Sequence, residues 1–150
     1  MREHNETTEI AKAVIKGAIS NIPIVGSVIS EIIGYLDSKY INERLEKLEA
    51  TVKNLGIRVS DFADKMYALE NDEHKYFVVR NNLKFLCLSA LPETVDAFNR
   101  ALIDLIMTEN PSMAEYACEI IKQLNADDIY LLKTIREYQQ YSGLQDKGGN

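Results

Sequence analysis

The sequence predicts an all-α protein, a bundle of six or seven helices, and three observations support that prediction. Apolar residues recur at the three- and four-residue spacing of helices, and no stretch alternates apolar and polar residues as a half-buried strand would. Each of the three prolines precedes such an apolar run, at a place where a helix tolerates the missing N–H. The 150 residues, 46% of them hydrophobic, have the length and composition of one globular domain. We therefore expect a single domain over residues 1–150.

The first half is predicted to be an apolar helical hairpin followed by a long charged helix, over residues 8–55. The predicted helices are 8–20 and 23–40, the latter continuing, with or without a kink at 37–38, to residue 55. Pro23 suits the first position of the second helix. Gly56 is a good residue to end the long helix, because glycine adopts positive φ without steric cost.

The second half, residues 59–141, is predicted to be a compact bundle. Its predicted helices are 59–69, 73–90, 92–107, 111–124 and 128–141. Asn71 and Asp72 supply turn and cap residues, and Asn110 is the expected N-cap before Pro111. A helix over residues 76–91 would carry apolar side chains on nearly every side, which predicts a central helix. We expect the tail, 142–150, to be flexible.

Two apolar stripes in the second half predict ordinary core faces. The first stripe consists of Val95, Phe98, Leu102 and Leu105. The second consists of Met113, Tyr116, Ala117, Ile120, Ile121 and Leu124. Cys87 and Cys118 lie inside apolar patterns, so we expect two buried free thiols rather than a disulfide.

The charge pattern argues against nucleic acid as a partner. The formal net charge is −6, and neither end of the chain reverses that sign. Proteins that bind nucleic acid usually carry a basic patch that neutralises phosphates. The polar N-terminus does not resemble a secretory signal. We expect a cytoplasmic protein, with a peripheral position at the inner membrane as the alternative.

The sequence predicts no catalytic, cofactor-binding or metal-binding residues, and therefore neither an enzyme nor a small-molecule substrate. His4 and His74 have no Cys, His or carboxylate at metal-ligand spacing. No Gly-rich phosphate loop or nucleophile motif is present. The acidic pairs at 72–73 and 127–128 fall at predicted helix starts, where carboxylates cap N–H groups.

The segment GAISNIPIVGSVIS, residues 17–30, contains no charge. At 14 residues it is shorter than the roughly 20 that span a bilayer, and Pro23 divides it. Three interpretations stay open at this point: a hairpin buried in the bundle, a surface for a partner protein, or a hairpin released onto a membrane. In the buried hairpin, one face is Ile10, Val14, Ile15, Ala18 and Ile22. The small residues Gly17, Gly26 and Gly34 would suit close helix packing under any of these three interpretations.

The candidate interaction surface combines the other face of this hairpin with the charged helix. In the charged helix, successive apolar residues are spaced by 4, 3, 4 and 3 positions, from Ile41 to Leu55. They form a seam, which either packs on the bundle or pairs two chains. The candidate residues are Ile24, Val25, Val28, Ile29, Ile32, Ile33, Leu36, Ile41, Leu45, Leu48, Val52 and Leu55.

The stretch IPIVGSVISEIIGYLDSKYINERLEKLE resembles the N-terminal segment of uncharacterised bacterial and prophage-borne all-helical proteins, in which a P-x-V-G apolar hairpin precedes a charged helix. Pro23 and Gly26 carry that motif here. The segment DDIYLLKTIREY is similar to a late leucine-rich helix of the same proteins, and the hairpin is also reminiscent of HeLo/MLKL-type cell-death bundles. The resemblance covers residues 10–55 and 125–138, and it implies a non-enzymatic helical module in host–phage conflict.

The function predicted from the sequence is therefore a protein–protein interaction or self-association module, with itself or an unidentified protein as the partner. The first alternative is a membrane-perturbing effector that uses the hairpin 10–36. A helical DNA-binding regulator is the second alternative, and it would need a basic recognition helix.

Overall fold

The computed structural model describes residues 18–148, and these residues confirm the all-α fold class. They form seven α-helices: α1 Pro23–Ile32, α2 Ser38–Asn54, α3 Val59–Ala68, α4 Glu73–Leu88, α5 Val95–Met107, α6 Ser112–Gln123 and α7 Ala126–Gly148. Single 3-10 turns at Leu69–Asn71 and Pro92–Thr94 precede α4 and α5. Within the described range there is no strand. Most of the predicted helix 8–20 lies outside that range, and residues 18–20 form a turn.

The region predicted to be helical from residue 23 to 55, with or without a kink at 37–38, is two separate helices. Pro23 occupies the first turn of α1, as predicted, and the helix ends at Ile32. The break has a local cause, because Asp37 caps a new helix: its Oδ1 accepts a hydrogen bond from the Lys39 N–H at 3.0 Å. A carboxylate cap fixes an extended backbone at residue 37, so the helical path stops there.

Gly56 ends α2 as predicted. Its φ is +76°, a conformation that other residues rarely adopt. The Gly56 N–H donates to the Lys53 carbonyl at 3.0 Å, and the Ile57 N–H donates to the Val52 carbonyl at 3.2 Å. These two bonds form a Schellman motif, which satisfies carbonyls at the helix end and turns the chain toward α3.

Carboxylates cap two later helices, as the acidic pairs predict. Asp72 accepts from the Lys75 N–H at 3.1 Å at the start of α4. At the start of α7, the Asn125 side chain accepts from the Asp128 N–H, and the Asp128 carboxylate accepts from the Asn125 N–H, each at 2.9 Å. This reciprocal arrangement is a capping box. The helix that it starts runs past the predicted end at Tyr141 to Gly148.

A single hydrophobic core extends from Ile19 to Cys118 and joins both predicted halves. Helix α4, the helix predicted to be central, packs against α1, α2 and α5, whereas α5 packs against α2, α3, α4 and α6 and is the more central of the two. The α5 stripe is also confirmed: Val95, Phe98, Leu102 and Leu105 are all buried. The largest fully buried side chains are Phe62, Phe98, Ile19, Ile22, Ile24, Ile32, Ile41, Leu48, Met66, Leu83, Leu86 and Leu102.

Two cations reach across the bundle to cap the C-terminal ends of neighbouring helices. Arg44 of α2 is buried, and its Nη2 donates to the Ala90 carbonyl beyond α4 at 3.1 Å and to the Tyr40 hydroxyl at 2.7 Å. Lys75 Nζ donates to the Thr108 carbonyl at 2.8 Å and the Ile106 carbonyl at 3.3 Å, at the end of α5. A helix C-terminus presents unpaired carbonyls and partial negative charge, so each cation is stabilised there.

Both cysteines are buried free thiols, as predicted. Burial raises the pKa of the Cys87 thiol to about 12, although the nearby Arg44 cation opposes that rise. Burial likewise raises the pKa of Cys118 to about 11. Because the thiolate is the reactive form, both side chains are inert at neutral pH and serve as small apolar groups in the core.

The predicted core stripe on α6 is correct for Ile121, which packs partly buried against the core, and wrong for three other members. Met113, Tyr116 and Ile120 are exposed, Met113 by 79%. The fully buried side chains of this helix are Ala114 and Cys118, which are not in the predicted stripe. Apolar residues occupy two sides of this helix, so their periodicity does not determine which side packs inward.

Candidate functional site

The structure places most of the predicted interaction surface inside the bundle. Nine of its members are at most 3% exposed: Ile24, Val25, Val28, Ile29, Ile32, Ile41, Leu45, Leu48 and Val52. Ile33 and Leu36 are partly buried against the same core, and Leu55 is 46% exposed. The α2 seam therefore packs on its own bundle, and a partner could reach these side chains only if the core opened.

Every isoleucine and valine of the uncharged segment that the structure describes belongs to that core. Ile19 and Ile22 are each 1% exposed, and α1 buries five further aliphatic side chains. Of residues 18–148, no helix is both long enough and apolar enough to cross a bilayer. A Cβ added at Gly26 or Gly34 would meet nothing within 4 Å, so these glycines do not mark a close helix approach in this fold.

A cluster of charged side chains holds the outer side of α1 to α4. Glu31 accepts a hydrogen bond from Lys84 Nζ at 2.5 Å and a second one from Arg80 Nη2. Arg80 Nε also donates to the Ser27 hydroxyl at 3.3 Å. Hydrogen bonds from Lys84 and then Arg80 lower the pKa of Glu31 below its ordinary 4.5, since they favour the ionised carboxylate. This arrangement holds α1 against α4 and pairs the Glu31 carboxylate with two cations.

The largest departure from a closed bundle is α7. This helix has 23 residues, and Ile129 is the only buried side chain between residues 126 and 143. Twelve consecutive residues, 130–141, are all exposed. Of the other elements, the 3-10 turn Pro92–Thr94 is the main one that α7 contacts. The helix is therefore attached to the body near its N-terminus and projects from it.

Four apolar side chains between residues 130 and 138 lie on one side of the helix, and we call them the α7 face: Tyr130, Leu131, Ile135 and Tyr138. Their exposed fractions are 75%, 57%, 45% and 71%. Helical geometry at 100° per residue places them in one band, with Thr134 between them. Ile129 points to the opposite side, toward the body. The α7 face contains no charged residue.

A small cleft lies on the body side of α7, with a volume of about 210 Å³. Its apolar lining includes Ile121, Leu124 and Ile129, and Lys133 and Arg136 also line it. Ligand sites usually measure roughly 300–1,000 Å³, so this cleft is small for a metabolite. A shallow groove of about 470 Å³ between the end of α2 and α5 is lined by Leu55, among others.

The two histidines contribute no recognisable site. His74 is on the surface, with its Nε2 3.8 Å from Glu115 Oε2, and His4 lies outside the described residues. In residues 18–148, no group of three or more His, Cys, Asp or Glu side chains is arranged to hold a metal ion. Comparison with protein-family models, curated proteins and solved structures gave no match to this chain.

The α7 face was not predicted from the sequence, although the residues of α7 carry a signal for it. In α7, Ile129 and Leu132 lie on one side of the helix, and Leu131, Ile135 and Tyr138 lie on another. A helix that is apolar on two sides needs two neighbours. The described part of this chain supplies a neighbour for one side only.

Proposed function

We propose that this protein acts by binding another polypeptide rather than by catalysis, and that it binds through the α7 face. The observation that carries the proposal is the α7 face itself, four large apolar side chains on one side of an exposed stretch of helix, residues 130–141. A partner that covered this face would gain stability, because full burial of an aliphatic side chain such as leucine or isoleucine contributes about 1.5–3 kcal/mol.

The chemistry of the α7 face suits a protein partner. Tyrosine is enriched in interfaces because its large ring loses little conformational entropy and its hydroxyl tolerates a partly wet surface. The exposed surface of the four side chains is on the order of 500 Å², toward the upper end of the apolar patches seen on monomeric proteins. An exposed helix with a single apolar stripe is the form in which helices bind a groove or another helix.

Binding through α7 also leaves the rest of the fold intact. The residues predicted from sequence, Ile24 to Val52, are packed in the core, so their exposure would require part of the bundle to unfold. The α7 face is accessible in the folded chain as it stands. A role in host–phage conflict, a membrane-perturbing activity and a cytoplasmic location stay predictions from the sequence.

Site-specific photo-crosslinking in living cells tests the proposal. A photoreactive phenylalanine derivative replaces Tyr138 on the α7 face, or, as a matched control, Tyr67 on α3, which is 48% exposed. We expect a crosslinked species of defined mass from position 138 and none from position 67. If position 138 gives no crosslink while the protein is folded and abundant, the proposed function is overturned.

A further inference from the structure

We infer that the partner is a second copy of this chain, and that two α7 helices pair side by side in antiparallel orientation through their α7 faces. The inference rests on the proposed function and names its partner. Three features of the described residues support it: where α7 joins the body, how its charges are placed, and how much apolar surface it offers.

The first feature is the point of attachment. α7 is buried against the body only near its N-terminal end, at Ile129, and residues 130–141 are exposed. In a parallel pair the two bodies would lie at the same end of the helices and compete for the same space. In an antiparallel pair the bodies lie at opposite ends. The exposed segment, twelve residues long, then provides about 18 Å of helix for contact.

The second feature is charge. A chain with net charge −6 repels its own copy, so self-pairing is favoured where the acidic excess is absent. Between residues 129 and 143 the charged residues are Lys133, Arg136 and Glu137, and none of them belongs to the α7 face. The contact band is therefore uncharged, and the segment around it is not acidic. Antiparallel pairing also sets the two helix dipoles in opposite directions.

The third feature is area. Two α7 faces would bury on the order of 1,000 Å² together, at the lower limit of specific interfaces. An interface of this size supports a dimer that dissociates on dilution rather than an obligate one. A two-fold axis beside Thr134 and Ile135 places Leu131 of one copy against Tyr138 of the other, so that the four side chains on each copy cover those on the other.

Light scattering coupled to size-exclusion chromatography, on the full chain over a dilution series, tests the dimer. We expect a dimer at high concentration and a monomer on dilution. Ile135→Asp would place two carboxylates beside the axis and weaken the dimer at least about 100-fold. Gln140→Asp, the same charge on the opposite side of α7, is the matched control and should leave the dimer unchanged. Circular dichroism checks that both variants fold.

Disulfide crosslinking tests the orientation. Leu131→Cys and Tyr138→Cys are made separately, and the native thiols are buried and do not compete. In the antiparallel pair, residue 131 is displaced by about 10 Å along the axis from residue 131 of the other copy, too far for a disulfide. We therefore expect a crosslink when the two variants are mixed and mildly oxidised, and little from either alone. Strong crosslinking of each variant with itself would overturn the antiparallel arrangement.

The outcomes separate this inference from the proposed function. If the chain stays monomeric at every concentration while position 138 crosslinks to a different protein, the inference is overturned and the proposed function stands. If position 138 crosslinks to nothing, both are overturned. A crosslinked species with twice the mass of the chain, lost with Ile135→Asp and kept with Gln140→Asp, supports both.

Discussion

Residues 18–32 and residues 130–141 both carry large apolar side chains, which are buried in the first segment and exposed in the second. The first segment carries no charge before Glu31, and its large aliphatic side chains are almost all buried. The second contains Lys133, Arg136 and Glu137, and its tyrosines, leucines and isoleucine are exposed. The difference teaches that the type of an apolar side chain does not by itself determine whether it is buried. Exposure depends on whether each apolar side of a helix finds a neighbour.

Length explains much of the difference. α1 has ten residues and lies within the width of the bundle, against α4 and α3. α7 has 23 residues, about 35 Å of helix, and among its residues 126–143 the one buried side chain, Ile129, lies in the first turn. A helix that extends beyond the element supporting it leaves its distal apolar residues for solvent or for another molecule.

The strongest test of this comparison is a pair of deletions. Removal of residues 1–36 eliminates seven buried aliphatic side chains, worth about 1.5–3 kcal/mol each, which together match or exceed the typical stability of a domain, about 5–15 kcal/mol. We expect this truncated chain to be unfolded or aggregated. Removal of residues 133–150 should leave a folded monomer with Tm changed by less than about 4 °C. Circular dichroism melts decide between these outcomes, and a folded 37–150 chain would contradict the assignment of residues 18–32 to the core.

A matched pair of point substitutions sharpens the same contrast. Ile29→Asp places a carboxylate in the core at a position that is 3% exposed, and should lower the free energy of unfolding by about 4 kcal/mol or more. Ile135→Asp, at a position that is 45% exposed, should change it by less than about 0.5 kcal/mol when measured on dilute, monomeric protein. Urea unfolding gives both values. Similar losses for the two variants would show that α7 packs more closely than the structure indicates.

Substitution of two glycines gives a smaller expected effect, and in one case the change should stabilise the fold. Neither Gly26 in α1 nor Gly143 in α7 has an atom within 4 Å of an added Cβ, so alanine fits at both. Gly26→Ala should raise the free energy of unfolding by about 0.5–1 kcal/mol, because alanine favours the helix. Gly143→Ala should leave global unfolding unchanged, because α7 contributes little to the core at that distance from Ile129. A destabilising effect of Gly26→Ala would indicate a hidden close contact on α1.

The smallest expected effect concerns the acid sensitivity of α1. The pKa of Glu31 is lowered in the folded protein. Its ion pairs therefore stabilise the fold at pH values above 4.5, the ordinary pKa, and this contribution is lost as the pH falls through the lowered pKa. Glu31→Gln should therefore be less stable than wild type at neutral pH, and the two should converge at acid pH. Glu70→Gln, at an exposed carboxylate on the 3-10 turn, serves as the control. If the difference in unfolding free energy between Glu31→Gln and wild type stays constant with pH, the ion-pair explanation is contradicted.

The sequence predicts helix ends better than helix faces, and the reason is physical. Pro23, Gly56 and Asp72 act through their own backbone geometry or through a hydrogen bond three residues away, so the local sequence determines them. The α5 stripe is predictable because apolar residues occupy one side of that helix. On α6 and α7, apolar residues occupy two sides, and the choice of inward side depends on helices distant in the chain. The candidate site was missed for that reason, since it is defined by where the bundle ends.

The two cross-helix caps have a consequence for how the fold forms. Arg44 joins a carbonyl 46 residues away, and Lys75 joins carbonyls 31 and 33 residues away. The Lys75 bonds join the two ends of the α4–α5 hairpin, so they can form within that hairpin alone. The Arg44 bond joins α2 to the end of α4, and α3 lies between them in the chain, so no hairpin of adjacent helices contains it. It therefore contributes only when α2, α3 and α4 are assembled, and it stabilises the native state without stabilising smaller parts of it. This polar bond makes unfolding of the body more nearly all-or-none than an apolar core alone would.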